Sequence, residues 1–128
     1  MSYLLDTCAL IWLMGEPEKL SKDAREIIAD TRNPLYTSDV SALEIQIKFS
    51  RGKLKIKESP KKIYDRLYDD FSLKSLPLKM ESIFMLENLP DIHQDPFDRL
   101  LVAQAIQAGL SIISPDPMIQ QYPLKVVW

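Results

Sequence analysis

Residues 95–116 read Asp95-Pro96-Phe97-Asp98-Arg99-Leu100-Leu101-Val102-Ala103-Gln104-Ala105-Ile106-Gln107-Ala108-Gly109-Leu110-Ser111-Ile112-Ile113-Ser114-Pro115-Asp116. Both ends of a helix are marked in this stretch. Asp95 suits the N-cap, Pro96 the first helical position, where a missing N–H costs nothing, and Gly109 the C-terminal stop. A short apolar run, Ser111–Ser114, then has the length and composition of a strand, and Asp116 follows the Ile112–Ile113 pair within three residues. Helix, strand and strand-end acid in this order predict an α/β fold, in which helices alternate with strands of a parallel sheet.

Working outward, the same alternation continues. Tyr3–Leu5, Leu35–Thr37, Leu76–Leu78 and Lys125–Trp128 read as further strands. Between them, Ser21–Thr31 opens on a capping serine and carries an apolar stripe of Ala24, Ile27 and Ile28. Pro60 fits the first turn of a helix with Ile63, Leu67 and Phe71, and Ile83, Phe84 and Leu86 mark another. One stretch is ambiguous: Leu43, Ile45, Ile47 and Phe49 alternate with polar residues at a strand's period of two. Ser41 and Glu44 nevertheless have capping-box spacing, and Val40, Leu43, Ile47 and Leu54 share one helical face ending near Gly52, so it is read as helix.

The chain has 128 residues, 46% hydrophobic and 27% charged, a composition that excludes general disorder and allows one continuous core without disulfides. With no repeat and no Pro/Gly/Ser linker, residues 1–128 are expected to form a single domain. The lone Cys8 has no disulfide partner, and the N-terminus lacks the features of a signal peptide, so a cytoplasmic protein is expected. The longest apolar run, Ala9–Met14, falls far short of the ~20 residues of a membrane span, and no membrane association is expected. Although the net charge is −2, Lys48, Arg51, Lys53, Lys55, Lys57, Lys61 and Lys62 cluster against the single acid Glu58. This strip could neutralise phosphates, or it could simply solvate a face around Leu54 and Ile56.

Four acids have positions that matter. Asp6 directly follows the first strand and Asp116 the strand at Ser111–Ser114, and parallel sheets bind ligands beyond the carboxyl ends of their strands. Asp98 lies in the first turn of its helix and Glu44 near the start of another, at the sheet edge to which strand–helix connections lead. Carboxylates gathered there would repel one another and would need a divalent cation. Mg²⁺, with its preference for a few carboxylates, waters and substrate phosphate oxygens, suits such a set and supports phosphodiester hydrolysis by metal-activated water.

Each acid also has a purely structural role available. Asp6 can be an N-cap, Glu44 the capping-box partner of Ser41, Asp98 a first-turn carboxylate favoured by the helix dipole, and Asp116 a turn residue between two prolines. With 18 acidic residues in the chain, no single position is decisive.

Four ordered motifs add a resemblance: Leu4-Leu5-Asp6-Thr7; Ser38-x-x-Ser41-x-x-Glu44-Ile45; Asp95-Pro96-Phe97-Asp98-Arg99-Leu100-Leu101-x-Ala103-Gln104-Ala105; and Ser114-x-Asp116. Together with the Lys48–Leu54 stretch, they resemble PIN-domain ribonucleases of the VapC type over nearly the whole chain. The resemblance implies a three-layer α/β/α sandwich with a central parallel sheet. It also implies a Mg²⁺- or Mn²⁺-dependent endoribonuclease that serves as the toxin of a type II toxin–antitoxin pair. Asp6, Glu44, Asp98 and Asp116 match the family's acidic quartet in catalysis and metal binding; Asp95, Thr7, Ser114 and Arg99 match possible accessory positions. The implied partners are an RNA substrate, a cognate antitoxin and a second copy in a homodimer.

The sequence departs from the family pattern at Cys8, Leu43 and Pro115, where no carboxylate is lost. Cys8 is expected as a small buried hydrophobe. His93, the single histidine, is expected to pack or hydrogen-bond beside the site rather than to touch metal or phosphate, and Arg99 to contact phosphate or pair with an acid of the cluster. Two other readings compete: a catalytically silent PIN-like RNA-binding or scaffolding module, disfavoured because all four acids are present, and a DNA-directed nuclease, for whose extra duplex-gripping helices 128 residues leave little room.

Overall fold

A computed structural model describes residues 1–128. Five strands, β1 (Tyr3–Leu5), β2 (Leu35–Ser38), β3 (Lys74–Leu76), β4 (Ser111–Ile113) and β5 (Val126–Val127), form one sheet in the order β3-β2-β1-β4-β5, and every pairing is parallel. Six α-helices connect them: α1 (Thr7–Gly15), α2 (Lys22–Ala29), α3 (Asp39–Ser50), α4 (Pro60–Phe71), α5 (Met80–Met85) and α6 (Pro96–Ala108).

The central strands explain the layering. All three residues of β1 and of β4 are buried, as in a parallel sheet covered on both faces, and only Ser111 among them is a small polar residue. Alternation sends Tyr3, Leu5 and Ile113 into one cluster with Leu10, Ala24, Ile63 and Leu67, while Leu4 and Ile112 join Leu101, Val102, Ala105 and Tyr122 in another. Helices α1, α2 and α4 therefore cover one face and α6 the other, giving the expected α/β/α sandwich. Helix α3 bridges the clusters, with Ile45 in the first and Val40 in the second.

Because β2 lies on one side of β1 and β4 on the other, strand order switches between β1 and β4. The crevice of a parallel sheet opens at such a switch, and Asp6 stands there, its N–H donating to the Ile113 carbonyl at 3.1 Å.

Several elements differ from their sequence reading. Strand β3 is Lys74–Leu76, not Leu76–Leu78: Pro77 has no N–H for the ladder and ends the strand, and this edge position accepts the exposed Lys74 and Ser75. Leu86 belongs to a separate 3₁₀ turn, Leu86–Asn88, rather than to α5. The ambiguous stretch is helical, as read, but its cap is Ser38, whose hydroxyl accepts the Val40 N–H at 2.9 Å. Ser41 lies inside α3, so the Ser41–Glu44 capping box does not form. The N- and C-terminal signals of α6 hold, with Asp95 as cap and Gly109 left-handed at φ 69°.

Candidate active site

Helix starts and strand ends bring the sequence-predicted acids to one cleft of about 500 Å³, lined by Asp6, Glu44, Asp98 and Asp116, with Asp95 at its margin. Asp6 caps α1, its Oδ1 accepting the Ala9 N–H at 2.7 Å. Burial pushes its carboxyl up to about 6; the Ser114 hydroxyl and the Ala9 N–H oppose that rise, and Asp98 and Asp116 add to it. Asp95 caps α6 through the Phe97 N–H at 2.8 Å. Asp98, at the third helical position, is also raised to about 6, first by burial and then by neighbouring Asp95.

Thr7 and Ser41 fix α1 against α3 through a buried hydroxyl contact of 2.9 Å. Ser38 performs the corresponding task for α6, donating to Gln104 Oε1 while capping α3. Glu44, released from the expected capping role, is buried and faces the cleft. Its Oε2 meets Lys48 Nζ at 2.9 Å, whereas its Oε1 is buried with no hydrogen-bond partner.

Asp116 is held at both oxygens: Oδ1 accepts the Met118 N–H at 2.9 Å, and Oδ2 lies 2.8 Å from His93 Nε2. Its own N–H donates to Ser114 Oγ at 3.0 Å. His93 thus stands beside the site as a hydrogen-bonding residue. Its ring partner Tyr122 escaped the sequence reading, because 29 residues separate the pair and no periodic signal links them.

Of the two roles expected for Arg99, pairing with an acid is not the one it takes. It contacts no acid of the cluster and does not line the cleft; its guanidinium donates to the carbonyls of Pro90 and Leu86, each at 2.9 Å, and so fastens the segment before α6. Cys8 is half-buried and lines the cleft, rather than lying in the core. Burial, reinforced by Asp6, pushes its thiol up to about 11, so without a metal it stays protonated at neutral pH.

The basic strip divides. Lys48, Arg51 and Lys53 line a depression that shares Glu44 and Asp95 with the cleft. Lys61 pairs with Asp65, and Glu58 with Arg66, out in solvent. One end of the strip therefore gives the acidic floor a cationic rim, and the other is a solvated surface.

The donor set fits a hard divalent cation. Its atoms are carboxylate oxygens, two of the carboxyls resist ionisation in this arrangement, and the buried Glu44 Oε1 lacks any other partner. No helix is long and apolar enough to cross a membrane.

Comparison with known proteins places a PIN domain match over residues 3–125. No curated protein matches the sequence. Among solved structures, VapBC2 from Rickettsia felis bound to a DNA fragment from their promoter aligns with a TM-score of 0.72 at 16% identity, covering 99% of this chain and 98% of the other. DNA-bound VapBC from Salmonella typhimurium gives 0.70 at 14% identity, covering 99% and 97%. FitAcB from Neisseria gonorrhoeae gives 0.64 at 15%, covering 98% and 96%. At these identities the likeness is one of fold.

Proposed function

From the premise that the chain belongs to the PIN-domain family, whose members are generally nucleases, we propose that it is a Mg²⁺- or Mn²⁺-dependent endoribonuclease. The observation that carries this reading is the meeting of Asp6, Glu44, Asp98 and Asp116 in one cleft, with a buried, unpartnered oxygen on Glu44. These four carboxylates would hold the metal. When bound, it supplies counter-charge for the cluster and Lewis-acid polarisation of a phosphodiester and its attacking water.

The protein's own residues perform the remaining tasks. Asp6 and Asp95 fix the starts of α1 and α6 and thereby the separation of their acids. Thr7, Ser41 and Ser114 hold these elements by hydroxyl contacts, and Arg99 fastens the segment leading to α6. Lys48, Arg51 and Lys53 can take the phosphates of an RNA strand entering over the rim.

The sequence resemblance to VapC-type toxins, together with the fold likeness to VapBC and FitAcB complexes, supports a toxin role with a cognate antitoxin as protein partner; the resemblance alone suggests a homodimer as the working assembly. Residues 1–128 would act as one PIN-like domain. The test is incubation of the purified chain with total cellular RNA. Cleavage with Mg²⁺ or Mn²⁺, its loss on chelation and its suppression by a cognate antitoxin are expected. Absence of turnover with either metal would favour the silent-module reading.

A further inference from the structure

Asp116 is the only acid of the cleft whose hydrogen-bond partner is a side chain itself held by a second side chain. His93 is 6% exposed and Tyr122 3% exposed. Their ring planes are nearly parallel, 7° apart with centroids 5.5 Å apart. His93 Nδ1 lies 3.0 Å from the Tyr122 hydroxyl, and His93 Nε2 lies 2.8 Å from Asp116 Oδ2. One donor atom each from His93, Asp98 and Asp116 falls within 4.8 Å of the others, which taken alone would make His93 a metal ligand.

The hydrogen bonds around its ring give it another role. The Tyr122 oxygen already accepts the His93 backbone N–H at 3.1 Å. Its single proton finds an acceptor at Nδ1 only if that nitrogen is bare. A neutral ring with a bare Nδ1 carries its proton on Nε2, and the group facing Nε2 is a carboxylate oxygen, which accepts. Both buried protons, on the Tyr122 hydroxyl and on Nε2, then have an acceptor, and Nε2 has no lone pair to offer a cation. A ring protonated at Nδ1 would instead turn two donors on the tyrosine oxygen and leave its hydroxyl proton without a partner in a buried place.

We propose that Tyr122 and His93 are positioning residues that form a fixed relay, Tyr122 O–H to His93 Nδ1 and His93 Nε2–H to Asp116 Oδ2, aiming the Asp116 carboxylate for metal binding. The Met118 N–H holds the other oxygen, so Asp116 presents its remaining lone pairs in one orientation. Such outer partners typically change metal affinity by about 10–100-fold when removed. The proposal rests on the reading of Asp116 as a metal ligand, but the tautomer it requires exists without metal and can be measured separately.

The chain has one histidine, so nitrogen-15 NMR of the metal-free protein reports this ring alone. A pyrrole-type Nε2 and a pyridine-type Nδ1 are expected, and Tyr122→Phe should give a mixture of tautomers. A ring protonated at Nδ1, or at both nitrogens at neutral pH, overturns the relay. In calorimetric titration with Mn²⁺, His93→Ala should bind about 10–100-fold more weakly than wild type. His93→Gln, whose amide N–H can replace Nε2–H, should recover most of that loss. Unchanged affinity in His93→Ala, or no recovery in His93→Gln, contradicts the proposal. Should His93→Ala fail to fold, Tyr122→Phe serves in the Mn²⁺ titration, where a several-fold loss supports the relay and wild-type affinity refutes it. Loss of Mn²⁺ binding in Asp98→Asn is the control for the metal site itself: if that variant binds as tightly as wild type, the site reading fails while the tautomer result stands.

Discussion

Lys48 Nζ lies 2.9 Å from Glu44 Oε2, one turn further along α3. This lysine gives an otherwise acidic cleft an internal counter-ion, and it stands on the rim where Arg51 and Lys53 continue the positive charge. It is therefore placed both to offset Glu44 and to meet a phosphate.

Replacing it separates these tasks. Lys48→Met should weaken RNA binding across sequences and reduce the slope of log affinity against log salt by about 1. Mn²⁺ affinity should not fall, since the substitution removes a competing cation. An unchanged salt slope would show that Lys48 makes no phosphate contact.

Asp6 carries two roles that two substitutions can resolve. Asp6→Asn keeps an oxygen for the Ala9 N–H but removes the buried charge, whereas Asp6→Ala loses the cap as well, a cost of about 1 kcal/mol. In chelator at pH 7, Asp6→Asn should melt above wild type and above Asp6→Ala, and both should lose metal binding. Asp6→Asn melting below Asp6→Ala would sink this account of the cap.

Stability of the metal-free protein should depend on pH through the same groups. Asp6 and Asp98 titrate at about 6 in the fold, against an ordinary 3.8. Between those values the folded state binds more protons than the unfolded one, so their contribution to unfolding free energy falls as pH rises from about 4 to about 6 and then levels. For buried Asp6 the loss is on the order of 3 kcal/mol; half-exposed Asp98 gives less because solvent screens it. Urea midpoints of wild type and Asp6→Asn should converge toward pH 4 and separate toward pH 7. Parallel curves would contradict the assignment. Metal binding, which needs the ionised forms, should tighten as pH rises through about 6.

Arg99 offers a contrast. Arg99→Met leaves the Leu86 and Pro90 carbonyls without their donor and should cost about 1–2 kcal/mol in stability. Mn²⁺ affinity in the folded protein should stay within a few-fold of wild type. A large loss of affinity without loss of stability would place Arg99 in the site instead.

Much of this arrangement was legible because local signals agreed with the fold. Asp95-Pro96 and Gly109 mark α6 by capping chemistry alone, and Tyr3–Leu5 is a buried strand because all three side chains are large and mainly apolar. The misreadings have physical causes. Leu76-Pro77-Leu78 looks like a strand by hydropathy, but a proline cannot donate to the ladder, and the edge position tolerates Lys74. Ser41 and Glu44 satisfy the spacing of a capping box, yet Ser38 takes the cap, because the helix begins directly at the end of β2 and leaves Ser41 inside it, where its hydroxyl meets Thr7. The commitment of Arg99 to two carbonyls and the approach of Tyr122 to His93 are tertiary facts that no local pattern encodes.

The most direct measurement of the central claim compares wild type with Asp98→Asn for cleavage of RNA across a Mg²⁺ titration, with both proteins shown to be folded. Removing one carboxylate of a metal set should cost several kcal/mol of barrier, a rate loss of about 100-fold or more, and wild-type cleavage should vanish with chelator. Cleavage by Asp98→Asn at the wild-type rate and metal dependence would contradict the assignment of the acidic cleft.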